Sequence, residues 1–362
     1  EKKQTESSGA RTPTAKSARP RERRVVAVTG AAGFLGGQTL KLLDADPRYE
    51  RLVMMDVRRP RDPIAKGKFF KVDLTEPSAD AMIADILAQE RVDTMVHCAF
   101  LQSPVVETSY AHELESIGTL YVLNAVAECD VPKIVVPSTT LAYGALPSNP
   151  NFLEEDAPLQ AAGYRMLQDR VEIERQLARH RKKHPDRVVT VLRPCLTLGP
   201  NVVNFTTRYM SQPVLYRVMG HDPLMQFVHE EDVLRAMKLA IDEDHSGVYN
   251  VVGRGVLPLS TLLKLAGKPS VPLPAAVLYP MIDAFWVAQL SITPSAYLDY
   301  IRYLFVADGR RAAEELGFEA KFSTKETLLN FMGVLRLKRF HLLGEEPSYA
   351  KDRLHQRKRR VL

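Results

Sequence analysis

The chain has 362 residues, 45% of them hydrophobic and 25% charged, with one Trp and three Cys. This supports one large domain or two ordinary ones around a sizeable core, and excludes collagen, a wholly disordered chain and a disulfide scaffold. The net charge of +6 sits in the ends, with eight Lys or Arg against three Glu in residues 1–24 and six against one Asp in residues 351–362, which leaves an acidic body that is a poor nucleic-acid surface.

Residues 1–24 read as a solvated basic tail and residues 344–362 as a second. Their charge also suits an acidic membrane or an acidic partner, and both alternatives stand. The chain opens on Glu1, and no signal peptide is read in it. Cys98, Cys129 and Cys195 are scattered and odd in number, which suits a reducing, cytoplasmic setting and offers no metal-ligand spacing. Order is expected to begin at Arg24–Thr29, an apolar run of the kind found in a buried parallel strand. A glycine-rich turn follows, then a helix through Leu40, Leu42 and Leu43 that stops before Pro47. Leu52–Asp56 and Phe69–Asp73 are further strands, Ala81–Ala88 a helix, Asp93–His97 a strand and Ser116–Glu128 a helix. Lys133–Val136 is a fifth strand, Tyr164–Arg181 a long helix and Val188–Leu192 a sixth strand. Such alternation predicts an α/β fold, a doubly wound parallel sheet covered on both faces, over residues 25–195.

Beyond residue 195 the pattern loosens, and residues 196–343 read as a smaller substrate-side domain that returns elements such as Gly247–Val252 to the sheet. Val271–Ile292 is the most apolar stretch, but Pro272, Pro274, Pro280 and Asp283 argue against a spanning helix; a shallow membrane-facing or substrate-facing element stays open. Thr324–Leu343 is either a basic amphipathic helix on a membrane or a terminal helix docked on the body.

The strongest signal is Thr29-Gly30-Ala31-Ala32-Gly33-Phe34-Leu35-Gly36, with glycines at three-residue intervals between a strand and a helix. Gly30 permits the tight turn, Gly33 lets backbone approach a pyrophosphate, and Gly36 lets helix pack on strand. Asp56 ends the second strand, twenty residues past Gly36. A carboxylate there accepts from both ribose hydroxyls and repels a 2′-phosphate, which favours NAD over NADP. Arg58 and Arg59 follow it; a guanidinium can pair with that phosphate, but a solvated loop is the preferred reading.

These residues resemble the extended short-chain dehydrogenase/reductase family, the NAD-dependent epimerase/dehydratase group. The likeness continues through Asp73-Leu74 beside the adenine, Val96-His97-Cys98-Ala99 at a strand end against the cofactor, and Gly118-Thr119, where Glu115 stands in place of the usual Asn. Val135–Gly144, Leu192-Arg193-Pro194, Gly199-Pro200, Phe227-Val228-His229 with Asp232, and Val306–Phe318 follow in the family's order. The resemblance implies a Rossmann fold, NAD, a small-molecule substrate and a homodimer. It also implies a structural role for His229, so no metal is expected beside Glu230, Glu231 and Asp232.

The resemblance further implies hydride transfer aided by a tyrosine acid/base, a lysine four residues on and a Ser/Thr hydroxyl. On this sequence the hydroxyl falls on Thr139 and the tyrosine on Tyr164, while Gln168 stands where lysine is expected. Gln168 can still anchor a ribose, but it carries no charge to lower the Tyr164 pKa. Leu196 replaces an Asn that sugar-nucleotide members use, so the substrate is either a sugar nucleotide or a more hydrophobic alcohol or ketone. The rival expectation is a protein of another class, a cofactor-binding sensor or scaffold without turnover.

Overall fold

The structure is a computed structural model that describes residues 24–342. The two expected tails lie outside the described residues, apart from Arg24, which is the first residue of a strand. Its guanidinium donates to the Asp242 carbonyl at 2.8 Å.

A strand covered by helices on both sides must be apolar on both, and the short Val, Ile, Leu and Met runs meet that demand. β1 (Arg24–Thr29), β2 (Tyr49–Asp56), β3 (Gly67–Lys71), β4 (Thr94–His97), β5 (Lys133–Pro137) and β6 (Val188–Pro194) share one sheet with Gly247–Val251. The order is Gly247–Val251, β6, β5, β4, β1, β2, β3, and all neighbours are parallel. The order reverses between β1 and β4, and a crevice opens beyond their carboxyl ends.

Alternate residues feed two cores. Ala27, Met95 and Ile134 pack beneath α2 (Ala79–Glu90), the later α4 (Gly118–Glu128) and α5 (Arg165–Lys183). Val26, Val28 and Val96 pack on the other face with α1 (Phe34–Asp44) and the helix Glu230–Asp242. Between α3 (Thr108–His112) and α4 lies a single π-helical turn, Glu113–Ile117.

Three expected boundaries shift. β3 ends at Lys71, so Asp73 lies in the turn after it and caps Thr75 by accepting from its N–H and hydroxyl. Asp93 precedes β4 and accepts from Val25 N–H at 2.8 Å. Tyr164 is extended, at φ −147° and ψ 142°, and α5 begins after it.

Residues past 195 form three two-stranded pieces and share a third core with Leu141, Tyr143, Leu167 and Val171, while the helix Glu230–Asp242 and the strand Gly247–Val251 return to the main sheet. The helix Thr324–Leu342 docks on the body, burying Leu328, Phe331 and Met332, with Arg336 donating to the Ala266 carbonyl at 3.2 Å. Within the apolar stretch, the helix Ala275–Val287 buries Leu278 and Ile282 but leaves Val277, Phe285 and Val287 exposed. No helix among the described residues is long and apolar enough to cross a membrane.

One buried network ties these parts together. Arg193 on β6 forms a forked pair with Glu174 on α5, at 2.9 and 3.0 Å, with both side chains at most 5% exposed. The same guanidinium donates to the Tyr143 hydroxyl and the Glu155 carbonyl, and Tyr143 donates to Asn250 on the last strand. Removing one partner of a buried pair strands the other charge. Arg193→Met is therefore expected to cost about 3–5 kcal/mol, read as a lower midpoint in urea unfolding.

Candidate active site

The cleft forms where the carboxyl ends of β1, β4, β5 and β6 meet α1 and α5. Its floor begins at the glycine turn. Gly30 has φ +65°, and a Cβ there would lie 2.6 Å from the Cys98 carbonyl carbon. A Cβ on Gly36 would lie 2.3 Å from the Gly30 carbonyl oxygen. The turn thus presses directly on the β4 end and on the start of α1. Gly33 is the α1 N-cap and supplies no side-chain cap, so the first-turn N–H groups face the crevice uncapped. Asp56 accepts from Ala32 N–H at 2.9 Å and from Arg58 N–H at 3.1 Å, which aims its carboxylate across the turn. The side chain of Arg58 itself is exposed.

His97, buried at the end of β4, bridges the Thr29 hydroxyl at 2.7 Å and the Thr119 hydroxyl at 3.0 Å. Burial, with Arg170 adding to it, pushes its pKa down to about 3, so the ring is a neutral brace. Burial pushes the Cys98 and Cys195 thiols up to about 12, which leaves both un-ionised at neutral pH. His229 caps the helix Glu230–Asp242 by accepting from Glu231 N–H and stacks on Phe322.

Phe34, Leu35, Cys98, Thr139 and Pro194 all line the cleft. Gly30 and Ala99 touch along the turn, and Leu74 packs against Gly118 behind it. Thr139 caps the short turn Thr140–Tyr143, its oxygen accepting from Leu141 N–H, so its own proton remains to be donated.

Tyr164 and Gln168 are not brought to this place. Tyr164 donates to the Val105 carbonyl at 2.5 Å and packs edge-on against Trp286 and Tyr297. Burial raises its pKa, and no cation lowers it. Gln168 is exposed on the outside of α5. The pair that lines the cleft is Met166 and Arg170, two residues further on with the same spacing of four. Two residues turn a helix by about 200°, so Gln168 faces away when Met166 and Arg170 face in, while Tyr164, extended ahead of α5, turns to Val105 instead. The Met166 sulfur accepts from Val105 N–H at 3.4 Å. Arg170 donates to Glu115 at 2.8 Å and to the Leu101 carbonyl at 2.9 Å, and lies over the Phe100 ring. Glu115 is fully buried and also accepts from Leu101 N–H; burial pushes its pKa up while Arg170 pulls it down. The sequence carries the spacing but not the choice of stripe: Arg170 and Met166 stand four and eight residues before Glu174, and it is the pairing of Glu174 with Arg193 that marks their stripe.

A family model described as the NAD dependent epimerase/dehydratase family matches residues 26–252. The chain belongs to that family. An uncharacterised protein of Mycobacterium tuberculosis is 29% identical over 322 residues, spanning 86% of this chain and 84% of its own length. Among solved structures, MoeE5 in complex with UDP-glucuronic acid and NAD superposes with a TM-score of 0.66 at 22% identity, over 86% of this chain and 99% of its own. The UDP-glucose 4-epimerase of Thermotoga maritima, solved with UDP-glucose, superposes equally well at 20% identity, over 87% and 99%.

The turn geometry generates a test of its own. Gly36→Ala must push α1 off the Gly30 carbonyl, and overpacking of this kind costs about 1–3 kcal/mol. The expected outcome is a lower thermal midpoint than the wild type, whereas Gly37→Ala, whose Cβ would meet its nearest neighbour at 3.4 Å, changes it little.

Proposed function

We propose that this family member holds NAD and acts as an epimerase/dehydratase-type oxidoreductase at a hydroxyl- or carbonyl-bearing carbon. The supporting observation is that one cleft brings the uncapped start of α1 and the Thr139 hydroxyl together. The turn fits a dinucleotide: a Cβ at Gly30 or Gly36 would collide with backbone, and the uncapped N–H groups suit a pyrophosphate. Asp56 is aimed to accept from ribose hydroxyls. Solved neighbours carrying NAD, such as MoeE5, agree with this cofactor.

Bound NAD supplies hydride acceptance and return. The chain's own part is to hold the reacting oxygen. Thr139 donates a hydrogen bond to it, and a donor fixed in advance stabilises charge as it develops. Arg170 takes the position of the cationic ribose anchor, balanced by Glu115. Met166 brings no acid or base.

Met166 favours a second reading, a cofactor-holding protein with weak turnover, because acid/base help is commonly worth about 10²–10⁴ in rate. The two are separable. NADH is expected to bind the full chain with a rise in its fluorescence, and Gly33→Asp to abolish that rise. Against a panel of aldehydes and ketones, Thr139→Ala is expected to cut NADH consumption by about 10²-fold or more while NADH affinity stays within about twofold. Equal consumption by Thr139→Ala and wild type overturns the oxidoreductase reading. A rise on Met166→Tyr, lost as pH climbs past the tyrosine pKa because reduction of a carbonyl needs the phenol as proton donor, identifies a cleft limited only by its missing acid/base; a wild type that binds NADH but consumes none, with no rise on Met166→Tyr, supports the second reading.

A further inference from the structure

We infer that the substrate carries a hydrocarbon group, and that a second chamber opening off the cleft is the subsite that takes it. This rests on the cleft being a hydride-transfer site. Leu196, Phe205, Thr206 and Tyr297 line both cavities, so the two adjoin. Beyond that junction the wall is Met210, Met225, Phe227, Leu259, Leu262 and Ile292, and no residue lining the chamber is charged. Two of its four tyrosines spend their hydroxyls on the protein: Tyr209 donates to the Tyr216 carbonyl at 2.6 Å and Tyr300 to the Leu141 carbonyl at 2.7 Å.

Charge decides between the two substrate classes. A nucleotide sugar brings its own diphosphate, whose charges need partners once they leave water. Among the described residues lining either cavity, Arg170 alone is cationic, and it is committed to Glu115. A hydrocarbon needs no such partner, and its transfer to an apolar wall is favourable. Two methionines give that wall adaptable surface. Thr206, at the junction, buries a hydroxyl with no hydrogen-bond partner among the described residues.

The test uses the full chain with NAD present and a homologous series of linear 2-alkanones, from butanone to tridecanone, with UDP-glucose as the competing class. Binding is read from the fluorescence of Trp286, which lies beside Tyr164. Affinity is expected to rise about fourfold per methylene until the chamber is full, then level off. Ile292→Phe narrows the chamber and moves that limit to shorter ketones; Ile292→Ala moves it to longer ones and serves where the larger side chain prevents folding. A series flat in chain length, or UDP-glucose binding where the ketones do not, overturns the inference. An NAD titration run alongside keeps the two readings apart: ketone steps without NAD binding overturn the proposed function and leave the chamber assignment standing, and NAD binding with a flat series does the reverse.

Discussion

The forked pair between Arg193 and Glu174 sets the rotation of α5, and the composition of the cleft follows from that rotation. Two planar groups joined by two hydrogen bonds fix direction as well as distance. Both are buried, so the pair holds only while its geometry is good and its other hydrogen bonds are made. Tyr143 and the Glu155 carbonyl take up the rest of the Arg193 guanidinium. With Glu174 held against β6, the stripe one and two turns earlier faces the glycine turn. That stripe is Arg170 and Met166, and Arg170 has a second anchor in Glu115.

The half of the site nearest β1 has the tight glycine turn and the uncapped helix start expected of it, whereas the half contributed by α5 departs from expectation. On the first side, backbone contact leaves no room for change: Gly30 sits against Cys98 and Gly36 against Gly30, and neutral His97 ties β1, β4 and α4 together. On the second side the groups are side chains, and two of them are paired. Glu115 stands on the π-helical turn, and its carboxylate answers the guanidinium of Arg170. A buried Glu without that cation would be protonated or destabilising. Arg170 and Glu115 are best understood as one unit.

The sheet, its parallel order and the phosphate turn were legible because each is written locally, as apolar runs of strand length and glycines at fixed spacing. The acid/base position was not. Tyr164 and Gln168 have the right spacing and a plausible neighbourhood, but spacing of four is satisfied by every stripe of a helix. Choosing among stripes requires a partner outside the helix, and Arg193 is that partner. Asp73 shows the same limit on a smaller scale, since an aspartate after an apolar run serves a strand end or a turn cap equally well. The apolar chamber was the least visible, because its walls come from residues 196 to 301 and no local pattern joins Leu196 to Leu262 or Ile292.

Chamber and ion pair together explain how one cationic group can sit beside an apolar cavity. Free guanidinium there would draw in water and anions. Paired with Glu115 and laid over the Phe100 ring, Arg170 is neutralised as a unit and shielded on one face. The cleft can then be dry on the chamber side and polar on the cofactor side. A hydrogen bond from Thr139 is worth more at such a boundary than in water, because the low dielectric strengthens it and the Leu141 N–H already fixes its direction. A cleft lined by Met166 and Arg170 in place of the expected tyrosine and lysine therefore has polar groups that are few, directed and held by their neighbours.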